Sequence, residues 1–296
     1  MFLLKLITVM VAVEAISLPV PAVAADGRDS GIPGVPNAHV VPVDLQKLNI
    51  LQTKNALEYS DDHLDSGEHW RMIWNCEFNK PTDLKKWNVI NKWDNANNEL
   101  QAYRSKACTV HDGFLFIEAT KEDTTNGAIK RHYVSGKLET NTKFDTTYGR
   151  FDCRFKVPKG KGFWPAFWML PASGNWPPEI DWMEILGHRP QILEVTNHYG
   201  MHTNGFHPWH GPKRYELHPD FSEEFHTITG IWNEREIVCY VDGKRISVSQ
   251  EGVPREKMYL ILNLAVGGDL PGPPDDSTPF PAQFVVDYVR AYKKIK

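Results

Sequence analysis

The stretch Pro177-Pro178-Glu179-Ile180-Asp181-Trp182-Met183-Glu184 places three carboxylates within six residues of an otherwise apolar and aromatic run. Because carboxylates are costly to bury, their density here needs a reason. Alternate residues of a strand share a face, so Glu179 and Asp181 point one way and Glu184 points the other. A β-bulge around Met183 adds one residue and brings all three acids to one face. Crowded carboxylates have pKa values that are pushed apart, which suits acid/base chemistry near neutral pH.

A second block, Phe163-Trp164-Pro165-Ala166-Phe167-Trp168, lies just upstream of the acids. Its two tryptophans are suited to lie flat against sugar rings. The acids have one alternative interpretation, a solvated strand edge or a salt-bridged core cluster. The segment contains no Lys or Arg to pair with before Arg189, which argues against that alternative. Acids and tryptophans together favour a site that acts on carbohydrate.

From about residue 70 onward, short strand-like segments alternate with turn residues. Phe114-Leu115-Phe116-Ile117-Glu118-Ala119 follows the turn Asp112-Gly113, and Glu236-Ile237-Val238-Cys239-Tyr240-Val241 precedes Asp242-Gly243. An Asp-Gly pair between such segments is a strong hairpin signal. No helical periodicity of comparable strength competes, and no internal repeat is visible. The pattern predicts an all-β fold, a two-sheet antiparallel sandwich or a barrel.

The motif Glu-x-Asp-x-x-Glu beside Trp-Pro-Ala-x-Trp closely resembles the catalytic signature of glycoside hydrolase family 16, the laminarinase and lichenase relatives, in its bulged form. The resemblance extends over residues 70–296 and implies a β-jelly roll of two antiparallel sheets, one of which forms a concave substrate cleft. Further blocks follow the family's order: Asn97-Asn98-Glu99-Leu100-Gln101-Ala102-Tyr103, Tyr148-Gly149-Arg150-Phe151, Tyr240-Val241-Asp242-Gly243, Asn263-Leu264-Ala265-Val266-Gly267-Gly268 and Val286-Asp287-Tyr288-Val289-Arg290.

The same resemblance assigns the three acids. It makes Glu179 the nucleophile, Glu184 the general acid/base and Asp181 the residue that tunes Glu179. Strand spacing alone permits the reverse assignment of the two glutamates. Two carboxyls about 5–5.5 Å apart give a covalent intermediate and retention of configuration. The spacing permits this mechanism, and the resemblance favours it.

The three tryptophans of the two blocks receive different interpretations. Trp164 and Trp168 resemble the family's cleft tryptophans, which stack on sugars, although core packing is the alternative for one of them. Trp182 has the opposite strand parity to Glu179 and Asp181, so we expect it in the hydrophobic core.

Four polar residues are further candidates for the cleft. Asn97 and Arg150 match family positions that hydrogen-bond substrate hydroxyls, with a turn or a structural salt bridge as the alternative. His198 matches a cleft histidine that contacts the catalytic region. Asn263 is a candidate cleft group or the maker of an internal hydrogen bond. A transition-metal site is not expected, because the neighbouring histidines lack suitable spacing.

The resemblance also implies a structural calcium ion on the side of the sandwich away from the cleft. Glu77 and Asp287 match family positions around such an ion, and Gly113 would supply a backbone carbonyl. Hard cations prefer carboxylate and carbonyl oxygens. Plain surface acids are the alternative, and no organic cofactor is expected.

The N-terminus has the features of an export signal. Lys5 provides a charge, residues 6–20 are mostly apolar, and Ala22-Val23-Ala24 is a small-residue cleavage site. Glu14 and Pro19 interrupt the apolar run, which argues against the alternative of a retained membrane anchor. We therefore predict a signal peptide over residues 1–24, a Gly- and Pro-rich extension over 25–65 and a catalytic domain over 66–296. The mature protein is expected to be secreted or periplasmic.

Composition excludes some partners and suggests another. The formal net charge of −4 gives no electrostatic reason to bind nucleic acid or an anionic membrane. Ten Trp, ten Tyr and fourteen Phe suit a neutral polysaccharide, although a large β-core would show the same richness. A monomer is expected. Four cysteines in an exported chain slightly favour one disulfide, with three possible pairings left open.

The sequence therefore predicts a retaining, endo-acting glycoside hydrolase. Its expected substrate is a β-1,3-glucan, a mixed β-1,3/1,4-glucan or a related exopolysaccharide. A transglycosylase on the same scaffold is the first alternative, since it needs the same residues. A non-catalytic glucan-binding module is the second, and the presence of all three acids argues against it.

Overall fold

The computed structural model describes residues 40–44, 69–200, 209–218 and 220–295. Over these residues, two short 3-10 helices (Pro81–Lys86 and Ser105–Ala107) accompany eighteen strands. The strands are β1 (Val40–Asp44), β2 (Trp70–Cys76), β3 (Asn88–Val89), β4 (Gln101–Tyr103), β5 (Cys108–His111), β6 (Phe114–Asn126), β7 (Ile129–Ser135), β8 (Lys137–Glu139), β9 (Gly149–Lys156), β10 (Phe163–Pro171), β11 (Glu179–Ile185), β12 (Ile192–His198), β13 (Trp209–His218), β14 (His226–Trp232), β15 (Ile237–Val241), β16 (Lys244–Ser249), β17 (Met258–Val266) and β18 (Ala282–Lys294).

These strands form two sheets, here called the acid sheet and the outer sheet. The acid sheet has the order β1-β13-β12-β11-β10-β17-β8-β3. The outer sheet has the order β16-β15-β14-β9-β18-β6-β7-β4, with β2 added on β18 and β5 on β6. Pairing is antiparallel except between β1 and β13 and between β4 and β7. The predicted all-β sandwich of two antiparallel sheets is confirmed.

The core lies between the sheets because each strand alternates its faces. In β10, Phe163, Phe167 and Met169 are fully buried and belong to the main core cluster. In the outer sheet, Phe151 and Phe155 of β9 belong to the same cluster. The residues of opposite parity in each strand point to the other face of their sheet. In the acid sheet, that second face carries the candidate functional residues.

Two predicted hairpins are confirmed. Asp112-Gly113 joins β5 to β6, and Asp242-Gly243 joins β15 to β16. All four residues have positive φ, between 47° and 82°. A two-residue turn of this conformation matches the right-handed twist of the strands that it connects, which explains the preference for Asp-Gly.

The expected disulfide is wrong, because all four cysteines are buried free thiols. Cys76 and Cys153 both pair with Val289, from opposite sides of β18. Likewise, β14 separates Cys153 from Cys239. Residues on opposite sides of one strand are about 9–10 Å apart, beyond the reach of a disulfide. Burial raises the pKa of Cys108 to about 12, as expected of a packing thiol rather than a reactive one.

The predicted signal peptide and most of the predicted extension lie outside the described residues. Within the extension, Val40–Asp44 forms strand β1, which pairs with β13 at the edge of the acid sheet. The helices of the described ranges are all too short or too polar to cross a membrane.

Candidate active site

A bulge in β11 brings the three acids to one face. On one side of β11, Asp181 pairs with Thr196 and Glu184 with Glu194, so three steps along β11 match two along β12. On the other side, β10 shows the same shift between Phe167 and Trp168. The additional residue lies in the Trp182–Met183 segment, and both of these side chains are fully buried in the core. The predicted bulge and the predicted burial of Trp182 are confirmed.

The acids form a tight cluster with His198. His198 pairs with Glu179 across β11 and β12, and its Nε2 lies 3.8 Å from Glu179 Oε1 and 3.3 Å from Asp181 Oδ2. Asp181, between the two glutamates, is only 3% exposed. Although burial opposes it, the neighbouring carboxylates of Asp181 and Glu179 raise the pKa of His198. The acids at the Glu179 end of the cluster therefore favour the charged form of the imidazole.

Each glutamate accepts a hydrogen bond from one indole. Trp176 Nε1 donates to Glu179 Oε2 at 2.7 Å, and Trp164 Nε1 donates to Glu184 Oε1 at 2.9 Å. Hydrogen bonds to a charged acceptor are stronger than neutral ones. The two indoles therefore fix the directions in which the two carboxyl groups point.

Trp164 and Trp176 differ from the sequence prediction in their exposure. Trp164, interpreted from sequence as a sugar platform, is only 8% exposed and packs on Leu186 and Ala265. Trp176 was not among the predicted site residues, yet it is 43% exposed beside the acids, with its ring 6.0 Å from that of His198. The signal for Trp176 was its position three residues before Glu179.

The surroundings of the two glutamates differ in charge. Burial first, and then the charge of Asp181, raise the pKa of Glu179 to about 8, while His198 and Trp176 act in the opposite direction. Burial also raises the pKa of Glu184 well above its usual range, with further contributions from Asp181, Glu194 and Glu179. Trp164 alone opposes that increase. Glu179 is thus the more readily ionised group, and Glu184 is the group that retains its proton.

A hydrogen-bonded chain supports Trp168 on the same face. Trp168 Nε1 donates to Asn263 Oδ1 at 2.7 Å, and Asn263 Nδ2 donates to the Tyr103 hydroxyl at 3.1 Å. Tyr103 in turn donates to Glu99 Oε2 at 3.0 Å. Lys137 Nζ lies 5.0 Å from the centre of the Trp168 ring. The sequence left two roles open for Asn263, a cleft contact or an internal hydrogen bond. The structure shows the internal hydrogen bonds, and they lie beside the acids.

The structure separates the other two predicted substrate contacts. Asn97 is exposed in a loop with a positive φ of 54°, and its backbone oxygen and the Trp164 ring both lie close to Gly268. Arg150 is instead in the outer sheet, 2% exposed, where its Nε lies 2.9 Å from Asp152 Oδ1. Parity explains this, since Phe151 faces the core and Arg150 must face away from it. The salt-bridge alternative describes Arg150.

The predicted calcium ligands Glu77 and Asp287 belong to the outer-sheet side of the fold, but their carboxylates already have cationic partners. Arg290 donates to both oxygens of Glu77, at 2.9 and 2.8 Å, and Arg154 pairs with Asp287. Gly113 lies in the β5–β6 turn. Leu115, two residues later, pairs with Val286, the residue before Asp287. The side chains in this arrangement therefore do not fit a calcium ion unless an arginine moves away.

The match to known proteins agrees with this geometry. Residues 93–290 match the model of glycosyl hydrolases family 16. The chain belongs to glycoside hydrolase family 16. The predicted family membership, the jelly roll and the assignment as a glycoside hydrolase are confirmed.

Several proteins similar to this chain are named as glucanases. It is 34% identical to a beta-glucanase of Rhodothermus marinus, over 79% of this chain and 89% of the relative. It is 35% identical to glucan endo-1,3-beta-glucosidase A1 of Niallia circulans over 75% of this chain, but only 38% of that longer protein. The laminarinase catalytic domain of Thermotoga maritima superimposes with a TM-score of 0.71 at 37% identity, covering 77% of this chain and all of that domain.

Proposed function

We propose that the protein cleaves β-1,3-linked or mixed-linkage β-glucan internally, with retention of configuration, through a covalent intermediate on Glu179. The observation that carries this proposal is the pair of indole-held glutamates around Asp181 on one face of the acid sheet. Their different surroundings support one of the two assignments that strand spacing left open. The group with cationic and hydrogen-bonding support is the nucleophile, and the group surrounded by acids keeps its proton.

In the first step, Glu179 attacks the anomeric carbon while Glu184 protonates the departing oxygen. The Trp164 indole occupies Oε1 of Glu184, so the proton that is donated resides on Oε2. The carbon–oxygen bond of the glycosidic link breaks as the ester bond to Glu179 forms. Glu184 ends the step ionised, and the sugar is held on Glu179 with inverted configuration.

In the second step, Glu184 removes a proton from water, which attacks the same carbon. The ester bond to Glu179 breaks, the configuration returns to that of the substrate, and Glu184 is protonated again. Trp176 stabilises the carboxylate that leaves, because its N–H points at Glu179 Oε2. Asp181 contacts no reacting atom in this scheme and acts by tuning Glu179.

The substrate proposal is tested by a panel of polymers with linkage analysis of the products. Laminarin and lichenan should be cut internally into oligosaccharides. Arg189 and Arg214 beside the acid cluster already pair with Glu194, so sulfated galactans are not expected to bind there. Strong activity on agar or carrageenan, with none on laminarin or lichenan, would overturn the proposal. Repeating the reaction with an added glucan acceptor separates hydrolysis from transglycosylation.

Replacing Trp176 with phenylalanine should move the acid limb of the kcat/KM profile to higher pH. Glu179 must be ionised to attack, and the indole N–H stabilises that ionised form. Loss of one hydrogen bond to a charged group should raise the pKa of Glu179 by about one unit. The matched control is Trp168→Phe, since that indole donates to Asn263 and to no acid. An unmoved acid limb in Trp176→Phe, or an equal shift in the control, would contradict this role.

The calcium site stays a prediction of the family resemblance. Calcium held by Glu77, Gly113 and Asp287, with Arg290 and Arg154 displaced, should raise the melting temperature, and a chelator should lower it, because a ligand bound only by the folded state stabilises that state. Arg154→Gln frees the Asp287 carboxylate and should strengthen the calcium response. A melting temperature indifferent to calcium and chelator in both proteins would remove the site.

Export also belongs to the proposal. The charged residue, apolar run and Ala22-Val23-Ala24 site at the N-terminus support secretion or delivery to the periplasm. A polymeric glucan is a substrate that an exported enzyme meets outside the cell. N-terminal sequencing of the protein from the culture medium or periplasm should begin near Ala25.

A further inference from the structure

A fourth carboxylate lies beside the proposed general acid. Glu194 on β12 pairs directly with Glu184 on β11, so the two side chains share a face with about 5 Å between their Cβ atoms. Glu194 is 1% exposed, and its Oε2 is buried without a hydrogen-bond partner among the described residues. A buried carboxylate next to another acid is costly, so its retention here needs a cause.

Two arginines pair with this carboxylate. Arg189 Nη2 lies 2.8 Å and Arg214 Nε 3.1 Å from the same oxygen, Glu194 Oε1. Arg214 pairs with Glu194 across β12 and β13, so the order outward from the proposed acid is Glu184, Glu194, Arg214. The carboxylate of Glu194 thus lies between Glu184 and Arg214.

We propose that Glu194, held by Arg189 and Arg214, is a positioning residue that keeps Glu184 protonated for its role as general acid. The inference rests on the proposed function, because it assumes that Glu184 is the acid. Glu194 makes no contact with the reacting atoms in this scheme. It acts through charge, by making the ionised form of its neighbour unfavourable.

The other charged groups that face Glu184 are accounted for. Asp181 and Glu179 on its own strand also oppose its ionisation, and the Trp164 indole on β10 favours it. His198 and Lys137 act on Glu179 at the other end of the cluster. Glu194 is therefore the acid on a neighbouring strand that makes ionisation less favourable for Glu184 than for Glu179.

Removing the negative charge of Glu194 and removing the positive charge of Arg214 should move the alkaline limb of the kcat/KM profile in opposite directions. Activity is lost as pH rises through the pKa of Glu184. Glu194→Gln removes the repelling charge but keeps an oxygen for the arginines, so the limb should move about one unit lower. Arg214→Gln leaves the charge of Glu194 less compensated, so the limb should move higher. Glu139→Gln, the same charge change more than about 14 Å away across three strand spacings, is the control and should leave the limb in place.

A direct titration makes the test independent of activity. Carbon-13 in the glutamate side chains reports each ionisation by nuclear magnetic resonance, and Glu184→Gln identifies the Glu184 signal. If the wild type cleaves no β-glucan, the proposed function fails, while this titration still decides the inference. An unmoved or raised midpoint in Glu194→Gln would overturn it, as would shifts of the same sign in both variants. If Glu194→Gln does not fold, an unmoved or lowered midpoint in Arg214→Gln overturns it.

Discussion

Glu179→Ala should hydrolyse laminarin and lichenan more slowly than the wild type by a factor on the order of 10⁴ or more, because the oxygen that forms the covalent intermediate is absent. The variant keeps Glu184 and its indole partner Trp164, so the general base for an incoming acceptor is intact. An α-glycosyl fluoride mimics the configuration of the intermediate and has a leaving group that needs no acid. The variant should therefore join sugars from that donor, which product analysis by mass spectrometry would detect.

Asp181→Asn is the matched comparison for this variant. Asp181 is a buried carboxylate in the same cluster that performs neither bond-forming step, so its loss should slow hydrolysis less than that of either glutamate. Hydrolysis that persists in Glu179→Ala, or the absence of any coupling from the fluoride, would count against Glu179 as nucleophile.

Glu184→Ala should lose about 10²–10⁴-fold on glucans, whose leaving groups need protonation. With a dinitrophenyl glycoside, whose leaving group departs without help, the first step should be nearly normal and the intermediate should accumulate. Pre-steady-state release of dinitrophenol should then show a burst followed by a slow phase, because no base activates water. Azide needs no such base, and its addition should restore turnover.

The configuration of the azide product separates the two roles. Attack on an intermediate held on Glu179 gives a β-glycosyl azide from Glu184→Ala. Azide that replaces a missing nucleophile attacks the substrate directly and gives an α-azide. An α-azide from Glu184→Ala, with a β-azide from Glu179→Ala, would mean that the roles are exchanged.

Much of this arrangement was predictable from local sequence. The bulge followed from strand parity, because only an extra residue near Met183 brings Glu184 to the face of Glu179 and Asp181. The same argument placed Trp182 in the core, where it is fully buried. The Asp-Gly turns were readable because few residue pairs adopt the backbone that a tight hairpin needs.

What sequence missed depends on contacts between strands. Glu194 lies beside Glu184 only because β12 pairs with β11 in a particular register, which no local pattern reveals. Trp164 had the composition of a sugar platform, and its burial follows from packing on Leu186 and Ala265. Arg150 is a different case, because the salt bridge that sequence left open for it forms within β9, to Asp152. The same reliance on cross-strand register explains the mistaken disulfide, since Cys76 and Cys153 lie on opposite sides of β18.

The assignment of Glu179 as nucleophile is the central claim, and trapping the intermediate tests it most directly. A 2-deoxy-2-fluoro β-glucosyl donor with a dinitrophenyl leaving group slows both steps but the second more, so the glycosyl-enzyme persists. Peptide mapping by mass spectrometry after this reaction should find one fluoroglycosyl group on the peptide of β11, with fragmentation placing it on Glu179. A label on Glu184 or Asp181, or complete inactivation without any label, would contradict the mechanism.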